Sequence, residues 1–228
     1  RLSTEFLASI SYTKLQNKIA EKTEVSGIIG LLRVAKKYYD EISDSVLISL
    51  DDEKSNFWLK RAYDDKQVTR SDLLAIRIDS LGVPSLDITE VKTSEDLPKA
   101  VKQVSATYNS LLKVLNNKDT NSFDNIRKQI LQEQLIHTLI RQNFSDDKNK
   151  KLFDAIKEFF NKDKFNKEDF NLKIFFVKIN PNIPSPTEIA KVSIDVLEKS
   201  ADKYYLDVSS DTEVIDTTSK NNTIDSSN

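Results

Sequence analysis

The stretch "NLKIFFVKINPNIPSPTEIAK", from Asn171 to Lys191, begins with an extended apolar run in a sequence whose other apolar residues recur mainly at helical spacing. A strand covered on both faces has this composition. Such a strand also needs a hydrogen-bonded neighbour, because a buried backbone group without a partner costs about 1 to 3 kcal/mol. The two predicted faces are Leu172, Ile174 and Phe176 on one side, and Phe175, Val177 and Ile179 on the other.

One other segment has the character of a strand. Ser85 to Val91, "SLDITEV", alternates apolar and polar residues and follows the helix-breaking Gly82-Val83-Pro84. We therefore predict a two-stranded ribbon, formed by this segment and residues 172–179, resting on helices. The alternative is that residues 172–179 pair with a strand of another chain, which would make Phe175 and Val177 candidate binding residues.

The rest of the chain favours helices. Its 228 residues are 31% charged and contain only 3 Gly and 5 Pro, as is typical of long amphipathic helices. The sequence predicts a mainly α fold: a multi-helix bundle or orthogonal helical domain over residues 1–207, with a small two-stranded β element and a disordered tail over 208–228. Apolar spacing and caps predict helices near residues 2–19, 26–46, 53–63, 72–81, 96–115, 122–140, 145–160 and 185–204.

Composition argues against several classes of site. The chain has no Cys and a single His, His137, so a zinc enzyme is not expected and no metal or cofactor is predicted. The net charge of -2 shows no basic stripe, which argues against nucleic-acid binding. No apolar stretch is long enough for a transmembrane helix.

Catalytic motifs are also missing. The glycines are too few and wrongly spaced for the common phosphate-binding loops, and no nucleophile elbow is present. Three pairs of adjacent aspartates lie at predicted helix boundaries, where capping and turn formation explain them. We therefore assign no catalytic residue; the pairs are Asp51-Asp52, Asp64-Asp65 and Asp146-Asp147.

Three functional hypotheses follow. The first is a non-enzymatic protein-binding or scaffold domain that captures a protein partner through the strand at 172–179. The second is a helical sensor that binds a small molecule near Tyr38, Tyr39 and Trp58, where aromatic side chains cluster in the sequence. The third is a carboxylate-based enzyme that uses a divalent cation at Asp64 and Asp65. The sequence favours a non-enzymatic role.

The N-terminal boundary leaves the compartment open. The sequence begins at Arg1 and contains no Met, which is explained by a removed signal peptide or anchor, or by trimming of a longer protein. Export or membrane attachment is slightly favoured over a cytoplasmic location.

Overall fold

The computed structural model describes seven stretches of the chain: residues 22–40, 44–59, 70–92, 97–117, 123–142, 144–177 and 187–191. Together they form one mixed β-sheet with helices on both faces. The helices are α1 (Lys22–Asp40), the single turn α2 (Ser55–Trp58), α3 (Leu97–Leu115), α4 (Phe123–Arg141) and α5 (Asp146–Phe160), and the strands are β1 (Ser45–Ser49), β2 (Leu73–Ile78), β3 (Pro84–Lys92), β4 (Phe170–Phe176) and β5 (Thr187–Lys191).

The strands lie in sequence order across the sheet. An antiparallel meander runs from β1 to β3, and a turn with Gly82 at a φ of 87° joins β2 to β3. β4 then adds parallel to β3, and β5 adds antiparallel to β4. A parallel pair needs a long crossover, which the three helices α3, α4 and α5 provide.

The alternation of side chains along each strand divides the apolar residues between two cores. One face of the sheet packs against α3, α4 and α5, and carries Leu74, Ile88 and Ile174. The opposite face packs against α1 and carries Leu73, Ala75 and Phe175. Helix α1 contributes residues at three- and four-residue spacing, the stripe of a helix that buries one side: Leu31, Val34, Ala35 and Tyr38.

This architecture corrects the predicted fold class. The protein has an α/β fold with a five-stranded mixed sheet, and the prediction of a mainly α bundle with a two-stranded element was wrong. The two predicted strand segments do pair within the chain, since β3 and β4 are neighbours. They form the middle of the sheet, and the predicted two faces of β4 are confirmed for the residues from Leu172 to Val177.

Three errors account for most of the missing sheet. Residues 72–81 were predicted to be a helix but contain strand β2, and residues 187–191 form β5 where the start of a helix was predicted. The helix predicted over residues 26–46 ends at Asp40, and Val46 lies in β1. Strands buried on both faces lose the alternation of apolar and polar residues, so their pattern resembles that of a buried helix.

The helices of the crossover were predicted correctly. α3, α4 and α5 coincide with the segments predicted over 96–115, 122–140 and 145–160, and Ser145 is the N-cap of α5. The predicted helix at residues 2–19 and the predicted tail at 208–228 lie outside the described residues. Within the described stretches, none of the helices combines the length and apolarity that crossing a membrane requires.

Candidate active site

The candidate site lies where β2 begins and β3 ends, because these two points meet in an antiparallel hairpin. Leu73 pairs with Thr89, so the residue before β2, Asp72, lies beside Glu90. The Asp72 backbone N–H donates to the carbonyl oxygen of Thr89 at 3.2 Å. Asp72 Oδ2 accepts the backbone N–H of Val91 at 2.8 Å. These two contacts hold the Asp72 carboxylate against the end of β3.

Glu90 is a buried acid whose two carboxylate oxygens have different surroundings. Its exposed fraction is 1%, and Oε1 lies 2.7 Å from the ammonium nitrogen of Lys92. The other oxygen, Oε2, is buried, and no described residue offers it a hydrogen when both acids are ionised. Glu90 shares a side-chain hydrogen bond with Asp72, which requires a proton on one of the two carboxylates, so a proton or a cation is what this pair would stabilise.

The charge state of Glu90 follows from these surroundings. The pKa of Glu90 is raised to about 9, chiefly by burial and then by the neighbouring Asp72 carboxylate, while the charge and hydrogen bond of Lys92 act in the opposite direction. Two ionised carboxylates can only accept hydrogen bonds. Asp72 and Glu90 can therefore share a contact only through a proton or through a bound cation.

Lys92 is held from a second side by helix α3. Its Nζ donates to Gln103 Oε1 at 2.6 Å, and Gln103 Nε2 donates to the backbone carbonyl of Arg70 at 2.9 Å. The Arg70 guanidinium is itself bonded to Asn56 Oδ1 at 2.7 Å and to Asp51 Oδ1 at 3.1 Å. The segment that leads into Asp72 is thus anchored at both its side chain and its backbone.

The opposite face of β3 carries a second buried acid, Asp87, which is 0% exposed. Its Oδ2 accepts from Lys173 Nζ at 2.5 Å and from the Tyr38 hydroxyl at 3.2 Å. Its Oδ1 accepts from Asn171 Nδ2 at 2.9 Å, and Arg77 Nε lies 3.5 Å away. We call this set the Asp87 network. Donors from α1, β2 and β4 surround the carboxylate, as is typical of a structural ion pair.

The residues predicted from sequence to bind ligands or partners occupy the core. Tyr38, Phe175 and Val177 are buried in the cluster under α1, with Tyr39 packed against it. Trp58 belongs to the cluster on the other face of the sheet. The structure therefore brings four of the five together and separates Trp58 from them.

Polar contacts in the core account for two of these aromatic residues. Trp58 donates its Nε1 hydrogen to Gln134 Oε1 at 2.6 Å. Gln142 Nε2 donates to the Tyr39 hydroxyl at 2.6 Å. Burial raises the pKa of Tyr39 to about 12, and this hydrogen bond acts in the opposite direction. Both contacts tie helices together and leave these polar atoms satisfied.

The adjacent aspartates named from the sequence do not form a cluster. Asp51 pairs with Arg70, and Asp52 Oδ1 accepts the backbone N–H of Lys54 in a turn. Asp146 and Asp147 occupy the exposed first turn of α5. Asp64 and Asp65 lie outside the described residues. Over the stretches that are described, no three acidic, histidine or cysteine side chains are grouped so as to hold a metal ion, and Asp72 and Glu90 remain a pair.

Sequence reasoning missed Asp72, Glu90 and Lys92. The signal was present as Glu-Val-Lys at the end of a predicted strand, since alternate residues of a strand share a face. Asp72 was assigned to a helix, so nothing placed its carboxylate opposite Glu90. Comparisons with family models, curated proteins and solved structures found no match to this chain.

Proposed function

We propose that the protein is a divalent-cation-dependent hydrolase of phosphodiesters, with the nucleic-acid backbone as the substrate class to test first. The observation that carries this proposal is the pair formed by buried Glu90 and partly buried Asp72 beside the ammonium group of Lys92. This is the third of the functions considered from the sequence, with a different pair of carboxylates as its site.

The chemistry of the pair suits a hard cation. Mg²⁺ is commonly bound by one or two carboxylates together with substrate phosphates, and it keeps several waters. A cation between Asp72 and Glu90 would replace the proton that the two carboxylates share and neutralise the charges of both. Such a cation polarises a phosphoryl oxygen and lowers the pKa of a bound water.

Lys92 supplies the other requirement of phosphoryl transfer. The ammonium group has three hydrogens, of which two are directed at Glu90 Oε1 and Gln103 Oε1. Its side chain is 13% exposed, so it reaches the surface of the site. A positive charge fixed next to the cation position would stabilise the negative charge that develops on a phosphate in the transition state.

The sequence argument against nucleic acid rested on the absence of a basic stripe, and it concerns binding to a long backbone. A cation and a lysine supply positive charge at the one phosphate that reacts. The prediction that the protein does not bind nucleic acid is therefore tested directly by the DNA and RNA substrates.

The earlier proposal of partner capture through β4 stays a prediction. Phe175 and Val177 have exposed fractions of 0% and 1%, so a partner could reach them only if β4 separated from α1. A small-molecule site near Tyr38 and Tyr39 would likewise require the core to open. Glu90 is 1% exposed, so a cation also needs a local opening to reach it, at the end of β3 where the Lys92 side chain is 13% exposed.

The test uses supercoiled plasmid, single-stranded DNA, single-stranded RNA and bis(p-nitrophenyl) phosphate, each with Mg²⁺, Mn²⁺ or a chelator. Asp72→Asn, Glu90→Gln and Lys92→Met should each lower a cation-dependent cleavage rate by at least about 100-fold. Glu133→Gln, on an exposed position of α4, is the matched control and should retain the rate. Failure to cleave any of the four substrates, or cleavage that the three variants leave intact, would refute the proposal.

A further inference from the structure

The contact between Gln103 and Lys92 points to a role for a residue outside the proposed cation site. Gln103 lies on α3 and bridges two groups that belong to different parts of the hairpin. Its amide receives a hydrogen from Lys92 at the end of β3 and donates one to the Arg70 carbonyl just before β2.

The orientation of this amide is determined by its partners. A backbone carbonyl can only accept, so the Gln103 NH2 group must face Arg70. A lysine ammonium can only donate, so the Gln103 oxygen must face Lys92. Both requirements are met by a single rotamer, and no alternative assignment of the amide atoms satisfies them.

The anchoring of Arg70 makes the bridge rigid. The guanidinium bonds to Asn56 and Asp51 hold Arg70 in place, so the carbonyl that Gln103 contacts is fixed. Lysine side chains otherwise have considerable rotamer freedom. Without Gln103, the Lys92 ammonium group would keep, within the described stretches, only its contact with Glu90, and that carboxyl group is one that a cation would engage.

We propose that Gln103 is the positioning residue for Lys92, holding its ammonium group beside the carboxylate pair when a cation draws Glu90 away. The inference rests on the proposed function for its catalytic consequence, although the contact itself can be tested without activity. Gln103 touches neither the cation position nor a reacting atom, so it acts only through Lys92.

Thr107 provides a matched control on the same helix. Its Oγ1 accepts the backbone N–H of Ser71 at 2.8 Å, so Thr107 also anchors the segment that leads into Asp72. The structure shows no hydrogen bond between Thr107 and Lys92. A purely structural role for Gln103 would be shared by Thr107, whereas a positioning role would not.

The first experiment compares the kinetics of Gln103→Met and Thr107→Val on whichever substrate the wild-type protein cleaves best. Gln103→Met should lower kcat about 10- to 100-fold, by analogy with the range found for groups that orient the ligands of a metal site. KM should change less than about threefold, because substrate contacts remain. Thr107→Val leaves both contacts of the Lys92 ammonium group intact and should lower kcat by a clearly smaller factor than Gln103→Met does. Equal losses in the two variants, or no loss in Gln103→Met, would overturn the assignment.

The second experiment measures Lys92 directly by NMR of protein with isotope-labelled lysine, and identifies its signals by their loss in Lys92→Arg. The two Hε protons of a held lysine have distinct shifts; they should merge in Gln103→Met and stay distinct in Thr107→Val. Unchanged Lys92 signals in Gln103→Met would overturn the contact. An inactive wild-type protein whose Lys92 signals still depend on Gln103 would refute the proposed function and retain the positioning contact.

Discussion

Strand β3 carries two buried acids on its opposite faces, Asp87 toward α1 and Glu90 toward α3. Asp87 receives hydrogen bonds from three residues of other elements and has donors at both carboxylate oxygens. Glu90 faces a second carboxylate, with which it shares a hydrogen bond, and its Oε2 receives no hydrogen from the described residues when both acids are ionised. Equal burial thus accompanies opposite electrostatics, and the acid that faces a like charge is the one for which we propose a cation.

Removing the charge of Asp87 should change the free energy of unfolding more than any other substitution at the two acids. Asp87→Asn leaves the Lys173 ammonium buried without its counter-charge, and breaking a buried pair in this way costs about 3 to 5 kcal/mol of unfolding free energy. Urea unfolding followed by circular dichroism measures the loss. Asp154→Asn, at an exposed position of α5, is the control, and a loss for Asp87→Asn below about 1 kcal/mol would contradict a structural ion pair.

Cation binding should stabilise the protein through Asp72 and Glu90 and leave the Asp87 network unchanged. With Mn²⁺ at about 100 times its Kd, the unfolding free energy of the wild-type protein should rise by about 2.7 kcal/mol. Because the pKa of Glu90 is about 9 without a cation, binding releases a proton below that pH. The apparent Kd should therefore fall by up to about tenfold per pH unit between pH 7 and 8.

Calorimetry at several pH values measures this dependence, and buffers of different ionisation enthalpy count the protons released. Asp72→Asn and Glu90→Gln should abolish the stabilisation. A cation effect that persists in both variants, or a Kd that does not vary with pH, would place the ion elsewhere.

Neutralising Glu90 in chelator should raise stability, the opposite of the result for Asp87. The pKa of Glu90 is raised in the folded state, from 4.5 to about 9, so the folded protein binds more protons than the unfolded chain between these values and stability falls as pH rises. Glu90→Gln should be more stable than wild type by about 1 to 3 kcal/mol at pH 8.

The pH dependence distinguishes this cause from a change in packing. The gain from Glu90→Gln should shrink toward zero as the pH approaches 4.5, where wild-type Glu90 is protonated in both states. Thermal unfolding across pH 4.5 to 8 measures it. A stability difference that stays constant with pH, or a loss, would mean that Glu90 is ionised in the folded protein.

The smallest effect concerns a single hydroxyl of the Asp87 network. Tyr38→Phe removes contacts of 3.2 Å to Asp87 and 2.8 Å to Thr89, while Lys173 and Asn171 remain on the carboxylate. The expected loss is about 1 kcal/mol. A double-mutant cycle with Asp87→Asn measures the coupling, and strict additivity of the two losses would show that the hydroxyl does not contribute through Asp87.

The sequence predicted the parts of the fold that are local. Helices α3 to α5 each bury one side, so their apolar residues recur at helical spacing and predict the helix. β2 was misread because Leu73, Ala75, Leu74 and Ile76 are buried on alternate faces, and a strand covered by helices on both sides shows no polar face.

The misassignment of β2 is also the reason that the candidate site was not predicted. Glu90 and Lys92 share a face of a segment that was correctly predicted to be extended, but Asp72 reaches them only because β2 pairs with β3 in one register. Pairing of distant strands is not encoded in the spacing of either strand alone. The contact with Gln103 depends likewise on how α3 crosses the sheet.

The parallel pairing of β3 and β4 also has a consequence for the order of folding. The hairpin of β2 and β3 closes through a tight turn, whereas β4 follows the whole of residues 93–169 and must overcome a larger loop-closure entropy. Two of the groups that bind Asp87, Asn171 and Lys173, arrive with β4. We therefore expect the Asp87 network to be completed late, with its contribution appearing mainly as slower unfolding, and the hairpin with Asp72 and Glu90 to form earlier from local contacts.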